Sequence, residues 1–349
     1  MEPTVARLKP FLATLQTGRT YYWCSCGRSK KQPLCDGSHA GTGFEPFKYA
    51  AQAGEEVLFC GCKHTGTPPF CDGAHTNLPG GSPLDDANSE ANRAVPCVPE
   101  GADARAMLDG NCYVFSPSRA QMTERGTLRY CTAISGEFGS LYQTQFYLKA
   151  ATGSSPVMAF GDRDVILFVA AGAGTLWISG RPFPVKATDG VYVRPSEAIQ
   201  ISNDSDTPIE IFVSACPLSE ITWLEKMPSG FDAEFPTRVV SVDVNQRHDM
   251  GPRYFQVLVD KAIGSKVITQ FIGHIPESKA APHRHLYEEA IIVLAGVGCM
   301  WTEGRKAPVR AGDVIFLPRK QEHSLQSTTP QGLDVVGVIY PGDNPSINY

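Results

Sequence analysis

Pro282-His-Arg-His-Leu-Tyr-Glu-Glu289 is the stretch on which the reading of this chain turns. Gly296 follows Glu289 after six intervening residues, then come Gly312-Asp-Val-Ile-Phe-Leu-Pro318 and, five positions past the proline, His323. Along an extended strand alternate side chains share a face, so the spacing predicts that His283 and His285 point the same way. Two imidazoles on one wall, a carboxylate at Glu289 and a third imidazole at His323 form a donor set suited to a first-row transition metal. Glu288 faces the other way and is the alternative carboxylate if the assignment shifts by one.

Outward from this stretch, the chain from about residue 105 consists of short β-branched and aromatic runs separated by Gly and Pro, the pattern of a sandwich or barrel. The pattern repeats. Gly139-Ser-Leu-Tyr-Gln-Thr-Gln-Phe146 parallels Gly264-Ser-Lys-Val-Ile-Thr-Gln-Phe271. Ala171-Gly-Ala-Gly174 with Trp177 parallels Ala295-Gly-Val-Gly298 with Trp301. Two copies of one all-β unit therefore follow each other. In the first copy the stretch aligned with the histidines is Phe160-Gly-Asp-Arg-Asp-Val-Ile-Leu167, without a histidine, and Gln200 takes the place of His323. Asp162 and Asp164 read there as solvated loop carboxylates, so the first copy is expected to be metal-free and to pack against its partner. Between the copies, Ser219-Glu-Ile-Thr-Trp-Leu-Glu-Lys226 predicts a short helix capped by Ser219 and ended near Pro228.

The second copy resembles the cupin superfamily, whose two motifs are H-x-H-x(3)-E-x(6)-G and G-x(5)-P-x(4)-H. Lys320 and Ser327 depart from the usual glycine and asparagine without removing a ligand. The resemblance implies a jelly-roll barrel that binds one mononuclear ion through His283, His285, Glu289 and His323. Fe(II) is the expected ion, with Mn, Ni or Zn as alternatives. The duplicated region as a whole resembles a bicupin with one metal-competent barrel. Gln270, Tyr287 and Trp301 are expected near the metal as candidate substrate contacts, with core packing the equal alternative for Trp301 and the Arg284 side chain alternating outward.

The other half of the reading lies in the cysteines. Six of the eleven fall between Cys24 and Cys71. Cys24, Cys26, Cys35 and His39 are spaced C-x-C-x(8)-C-x(3)-H, and Cys60, Cys62, Cys71 and His75 repeat that spacing. Clustered cysteines with nearby histidines favour metal over a disulfide framework. By spacing alone the ion could be zinc, or a pair of irons bridged by sulfide. The stretch Tyr21-Tyr-Trp-Cys-Ser-Cys-Gly-Arg-Ser-Lys-Lys-Gln-Pro-Leu-Cys-Asp-Gly-Ser-His39 resembles the CDGSH, or NEET, family, and in particular its members with two boxes in one chain. That resemblance implies two 2Fe–2S clusters, each held by three cysteines and one histidine, with Ala74 replacing the motif's serine in the second box. A histidine ligand makes cluster stability and potential depend on pH.

The domain plan is a tandem CDGSH domain at 1–80, a Pro/Gly/Ser-rich linker at 81–104, cupin 1 at 105–217, a connecting segment at 218–240 and cupin 2 at 241–349. The expected fold class is mainly β. The net charge of −5 gives no case for nucleic acid. No apolar run approaches the ~20 residues of a membrane helix, and the start Met1-Glu-Pro-Thr lacks a signal's apolar core, so the chain is expected to be soluble and cytoplasmic. The expected function is an oxidoreductase of dioxygenase or oxidase type. Two clusters would exchange electrons with the cupin metal, with a small organic molecule, dioxygen and an electron-donor protein as partners. The alternative is a redox or iron sensor, or a cluster carrier, with a ligand-binding bicupin. Internal duplication is compatible with a monomer or a homodimer.

Overall fold

Val165, Leu167 and Val169 turn to one side of their strand and Ile166 and Phe168 to the other, and this alternation organises the β half of the molecule. The computed structural model describes residues 2–82, 84–250 and 253–342; the last seven positions of the expected second barrel domain, 343–349, lie outside the described residues. Two compact units divide the chain, one built chiefly on Met1–Asp85 and the other on the barrels from Asp86 onward.

In the first barrel a seven-stranded sheet runs, in spatial order, Val239–Val240, Gly190–Val193, Asp164–Ala171, Ile209–Cys216, Thr144–Ala150, Leu128–Ile134 and Thr123–Arg125. It faces a smaller sheet containing Arg181–Lys186, Ala173–Ile178, Ala198–Asn203, Val157–Ala159 and Thr222–Leu224. The second barrel repeats the plan. Its larger sheet runs His248–Met250, Arg253–Val259, Thr269–Ile275, Leu333–Tyr340, Glu288–Ala295, Val314–Leu317, Tyr113–Phe115 and Arg105–Met107. The facing sheet carries Lys306–Arg310, Val297–Thr302, His323–Ser327 and Ser278–Ala280. Each barrel has its own apolar interior, and a third cluster joins the outer faces of the two large sheets through Ile166, Phe168, Phe212, Ala290, Val336 and Val338. The duplication seen in sequence is thus a back-to-back pair of barrels.

One repeated glycine has a specific cause. Gly172 and Gly296 both adopt positive φ, and a Cβ at Gly296 would lie 2.1 Å from the Gly332 carbonyl oxygen. Only glycine accommodates both the left-handed backbone and that approach.

Three expectations differ from what is observed. Arg105–Met107 and Tyr113–Phe115 fall in the range expected for the first barrel, yet they extend the second barrel's sheet from Val314–Leu317. Conversely Thr222–Leu224 and Val239–Val240, in the expected connecting segment, pair with strands of the first barrel. Strand exchange of this kind is set by long-range edge pairing, which local composition does not encode. The helix expected over 219–226 is also absent. Thr222–Leu224 is a strand, and Trp223 packs against Tyr130 with ring centroids 5.5 Å apart. β-Branched and aromatic residues favour that edge position over a helix, and the Ser219 hydroxyl donates to the Phe160 carbonyl at 3.0 Å instead of capping. Finally, the segment expected as linker is partly ordered. A short helix spans Glu90–Ala94, where Ser89 Oγ accepts from the Asn92 amide, and Val98 donates to the Lys306 carbonyl at 2.8 Å.

The N-terminal unit contains two two-stranded sheets, Phe11–Thr14 with Glu56–Phe59 and Thr20–Trp23 with Phe47–Ala50. Leu15, Tyr21, Trp23, Val57 and Phe59 form its core. No helix among the described residues is long and apolar enough to cross a membrane.

Candidate cluster and metal sites

Each cysteine box begins where a strand ends. Trp23 closes one strand, bridges to Leu34 and delivers Cys24; Phe59 closes another, bridges to Phe70 and delivers Cys60. These bridges bring the third cysteine of each box back to the first two. In the first box Cys24 Sγ and Cys26 Sγ are 3.6 Å apart, and Cys35 Sγ is 3.1 Å from His39 Nδ1. The second box gives 3.4 Å for Cys60 and Cys62 and 3.5 Å for Cys71 and His75. Two donors ~2.3 Å from one tetrahedral metal sit about 3.8 Å apart. Each box therefore presents two donor pairs, each spaced for one ion, which fits a two-iron cluster with two protein ligands per iron.

Backbone amides surround the sulfurs. Arg28 and Gly37 donate to Cys26 and Cys35, and Lys63 and His64 to Cys60 and Cys62, at 3.2–3.5 Å. A hydrogen bond from the Cys71 thiol, seconded by that of Cys62 and the Lys63 amide, pulls the Cys60 thiol down to about 6. Spacing did not single out the aspartates of the two boxes, which hold the loops. Asp36 accepts from the amides of Lys30 and Ser38, and Asp72 from those of Gly66 and Ala74. At position 74 only the backbone is needed for this bond, so alanine serves. The boxes differ in exposure: the His39 side chain is 26% exposed, whereas His75 is buried. Burial lowers the His75 pKa, with Lys9 adding to the effect and Asp72 opposing it.

In the second barrel, donor nitrogens of His283, His285 and His323 lie within 4.8 Å of one another. The expected route to this grouping was a strand, but residues 281–287 are irregular apart from an isolated bridge at His283. The two rings are nonetheless 5.1 Å apart and nearly perpendicular, at 76°. His323 Nδ1 lies 2.8 Å from the Gln321 carbonyl, a contact that makes Nδ1 the protonated nitrogen and leaves Nε2 as the lone-pair donor. Glu289 is buried on the strand that follows, and burial pushes its carboxyl up to about 8. A polyvalent cation would offset that penalty, so the chemistry of this donor set fits a mononuclear metal.

Glu288, the alternative carboxylate, is committed elsewhere. It accepts from Ser140 Oγ at 2.9 Å and from the amides of Leu141 and Tyr142 at 2.7 and 3.1 Å, in a turn of the first barrel. Gln270 and Trp301 do not line the barrel interior as expected. Gln270 Nε2 donates to the Leu167 carbonyl of the other barrel at 3.4 Å. Met300 and Leu325 fill the interior, so Trp301 points to the outer face, where its indole donates to Gln326 and lies between the ammonium groups of Lys279 and Lys306. Tyr287 is buried next to the histidine segment. Arg319, which sequence reasoning passed over, donates through Nε to the Leu286 carbonyl and through Nη1 to the Tyr142 hydroxyl at 3.3 Å, fastening the histidine segment. No local signal announces it, because Tyr142 is 177 residues away.

Strand register explains the first barrel. Glu289 pairs with Leu317 and His323 with Thr302; the corresponding pairs are Val165 with Val193 and Ile199 with Ile178. Ile199, not Gln200, is the counterpart of His323, and both carboxylate and imidazole are replaced by branched apolar side chains in the barrel core. Asp164 is the counterpart of Glu288. It is half-buried and accepts from the Tyr192 hydroxyl, unlike the solvated carboxylate expected there.

Residues 273–339 match the family described as Cupin domain, and residues 8–40 that described as Iron-binding zinc finger CDGSH type. The chain joins a CDGSH domain to a cupin domain. The second cysteine box lies outside the CDGSH match. Over 38 residues the chain is 58% identical to the mitochondrial CDGSH iron-sulfur domain-containing protein 3 of Mus musculus, covering 11% of this chain and 28% of that protein. Over 65 residues it is 34% identical to an oxalate-binding protein of Thermotoga maritima, covering 18% of this chain and 54% of that one. The chain thus spans about a quarter of the CDGSH relative's length and about half of the oxalate-binding protein's. Among solved structures, protein Ylba from E. coli superposes with a TM-score of 0.53 at 14% identity, over 70% of this chain and 97% of that one. Oxalate decarboxylase of Lactobacillus farciminis gives 0.52 at 14% identity, over 66% and 86%. At these identities the likeness concerns the fold, two cupin barrels in one chain.

Proposed function

We propose that this protein is a metal-dependent oxidoreductase of dioxygenase or oxidase type, with its reaction centre in the second barrel. The grouping of three imidazoles in that barrel carries the proposal, supported by the buried carboxyl of Glu289 on the strand that follows and by the apolar residues at the matching places of the first barrel. His283, His285, His323 and Glu289 would hold one ion, with Fe(II) the expected one. A divalent first-row metal bound there supplies open coordination positions to dioxygen or a chelating small molecule. The chain's own residues prepare the site: Gln321 orients His323, Arg319 fastens the segment bearing His283 and His285, and Glu288 ties the adjoining strand to the first barrel.

Cys24, Cys26, Cys35 and His39, and Cys60, Cys62, Cys71 and His75, would hold one 2Fe–2S cluster each, exchanging single electrons with the barrel metal. An electron-donor protein would recharge them, in a cytoplasmic setting. The substrate is a small organic molecule. The names of the Thermotoga relative and the Lactobacillus structure favour a small carboxylate able to chelate the ion. To test this, protein loaded anaerobically with Fe(II) and cluster-reduced is exposed to oxygen. A spectroscopic change at the mononuclear iron, with matching oxygen uptake, is expected. No change at that iron would overturn the proposal.

A second reading, cluster donation, is favoured by the exposure of His39. Transfer of a cluster to an apo-acceptor, unaffected by His283→Ala, would support it over the oxidoreductase.

A further inference from the structure

Lys63 is a buried lysine, 6% exposed, in the middle of the second cysteine box. Its backbone is left-handed, with φ of 72°, and the matching residue of the first box is Gly27, with φ of 78°. A non-glycine residue in that region costs roughly 1–2 kcal/mol. An uncompensated buried ammonium costs several more. Both penalties are borne at one position, which points to a use for the side chain.

The surroundings of the charge show what offsets it. Nζ donates to the Cys60 carbonyl at 2.9 Å and lies 4.7 Å from the Trp23 ring and 5.6 Å from that of Phe11. Trp23 immediately precedes Cys24, and its own indole N–H donates to the same Cys60 carbonyl at 3.0 Å. One carbonyl therefore ties the entry of the first box to the buried cation of the second. The ammonium therefore belongs to a residue next to Cys62 in the chain and stands over the ring of the residue before Cys24, so it lies beside ligands of both boxes.

We propose that Lys63 is a shared electrostatic partner of both iron–sulfur sites, its ammonium raising the reduction potential of each. A reduced cluster carries one more negative charge than an oxidised one, and a fixed cation inside a poorly solvated unit favours the reduced form. Arg28, two residues past Cys26 in the first box, is exposed, so solvent and salt screen its charge. The proposal rests on reading both boxes as 2Fe–2S sites. Iron and sulfide analysis of the wild-type protein tests that separately, with about four sulfides per chain expected and about four irons besides any held in the second barrel; about two sulfides would refute the two-box reading itself.

The test is redox titration of the full-length protein, followed by visible absorption and electron paramagnetic resonance. Lys63→Met should lower both midpoint potentials by a tenfold or greater change in the reduction equilibrium, 59 mV for one electron. Lys63→Gln keeps a donor for the Cys60 carbonyl and preserves cluster loading if the methionine variant loses it; the same fall is expected. Lys63→Arg should stay near wild type, and Arg28→Gln should shift the potentials by much less than Lys63→Gln. Unchanged potentials in loaded Lys63→Gln, or a fall in only one cluster, would overturn the proposal.

Discussion

Glu289→Gln should stabilise the metal-free barrels near neutral pH, although it removes a proposed metal ligand. Burial raises the Glu289 carboxyl from its ordinary 4.5 to about 8. In the folded metal-free protein it stays protonated over a range in which the unfolded chain is ionised. The unfolded state then binds fewer protons, so stability is complete below about pH 4.5 and is lost as the pH rises toward 8. At pH 7 the mismatch spans about 2.5 pH units, which at 1.36 kcal/mol per unit is roughly 3 kcal/mol. Glutamine does not ionise and escapes this loss. Urea denaturation of metal-stripped protein, followed through Trp177, Trp223 and Trp301, measures it. The variant's advantage over wild type should vanish near pH 4.5, grow through pH 7 and level off above about pH 8. Adding the divalent metal should reverse the order, because only wild type gains the carboxylate–metal bond. A pH-independent difference between the two proteins, or equal stabilisation of both by metal, would refute the argument.

Three further outcomes follow from neighbouring geometry. Glu288→Ala strips the acceptor from Ser140, Leu141 and Tyr142 and should cost about 3 kcal/mol or more by the same denaturation assay, with or without metal. His285→Ala should weaken binding of the mononuclear metal by more than the roughly 10–100-fold that loss of an outer partner costs, while iron and sulfide in the cysteine boxes stay at wild-type levels in elemental analysis. Acidification should bleach the first box before the second, since His39 is exposed whereas burial holds the His75 pKa down, keeping it neutral to lower pH. Stopped-flow absorbance after a jump to mild acid should show two phases, and Cys71→Ala should abolish the slower one; a single phase in wild type would contradict this.

The donors were legible because their chemistry is local. C-x-C-x(8)-C-x(3)-H recurs within 52 residues, from Cys24 to His75, and soft thiolate and imidazole donors at fixed offsets have few other uses. His283, His285 and His323, which the fold gathers, stood out for the same reason, and the duplicated β texture announced two barrels. The sequence did not distinguish Glu288 from Glu289 by environment. One accepts three hydrogen bonds from a turn nearly 150 positions earlier, while burial drives the carboxyl of the other up, and only folding creates that difference. Trp301 and Gln270 looked like pocket residues until strand register turned them to other faces, because a one-residue offset inverts a side chain. The same register shows that Ile199, and not Gln200, stands opposite Ile178 in the first barrel. Exchange of edge strands between the barrels, the role of Arg319 and the burial of Lys63 beneath Trp23 likewise depend on residues far apart in the chain. Sequence by itself thus determined which groups are available for chemistry, since that follows from residue type and short spacing. Tertiary structure decided which of them meet, which are buried and what each costs, since burial and long-range pairing exist only in the folded chain.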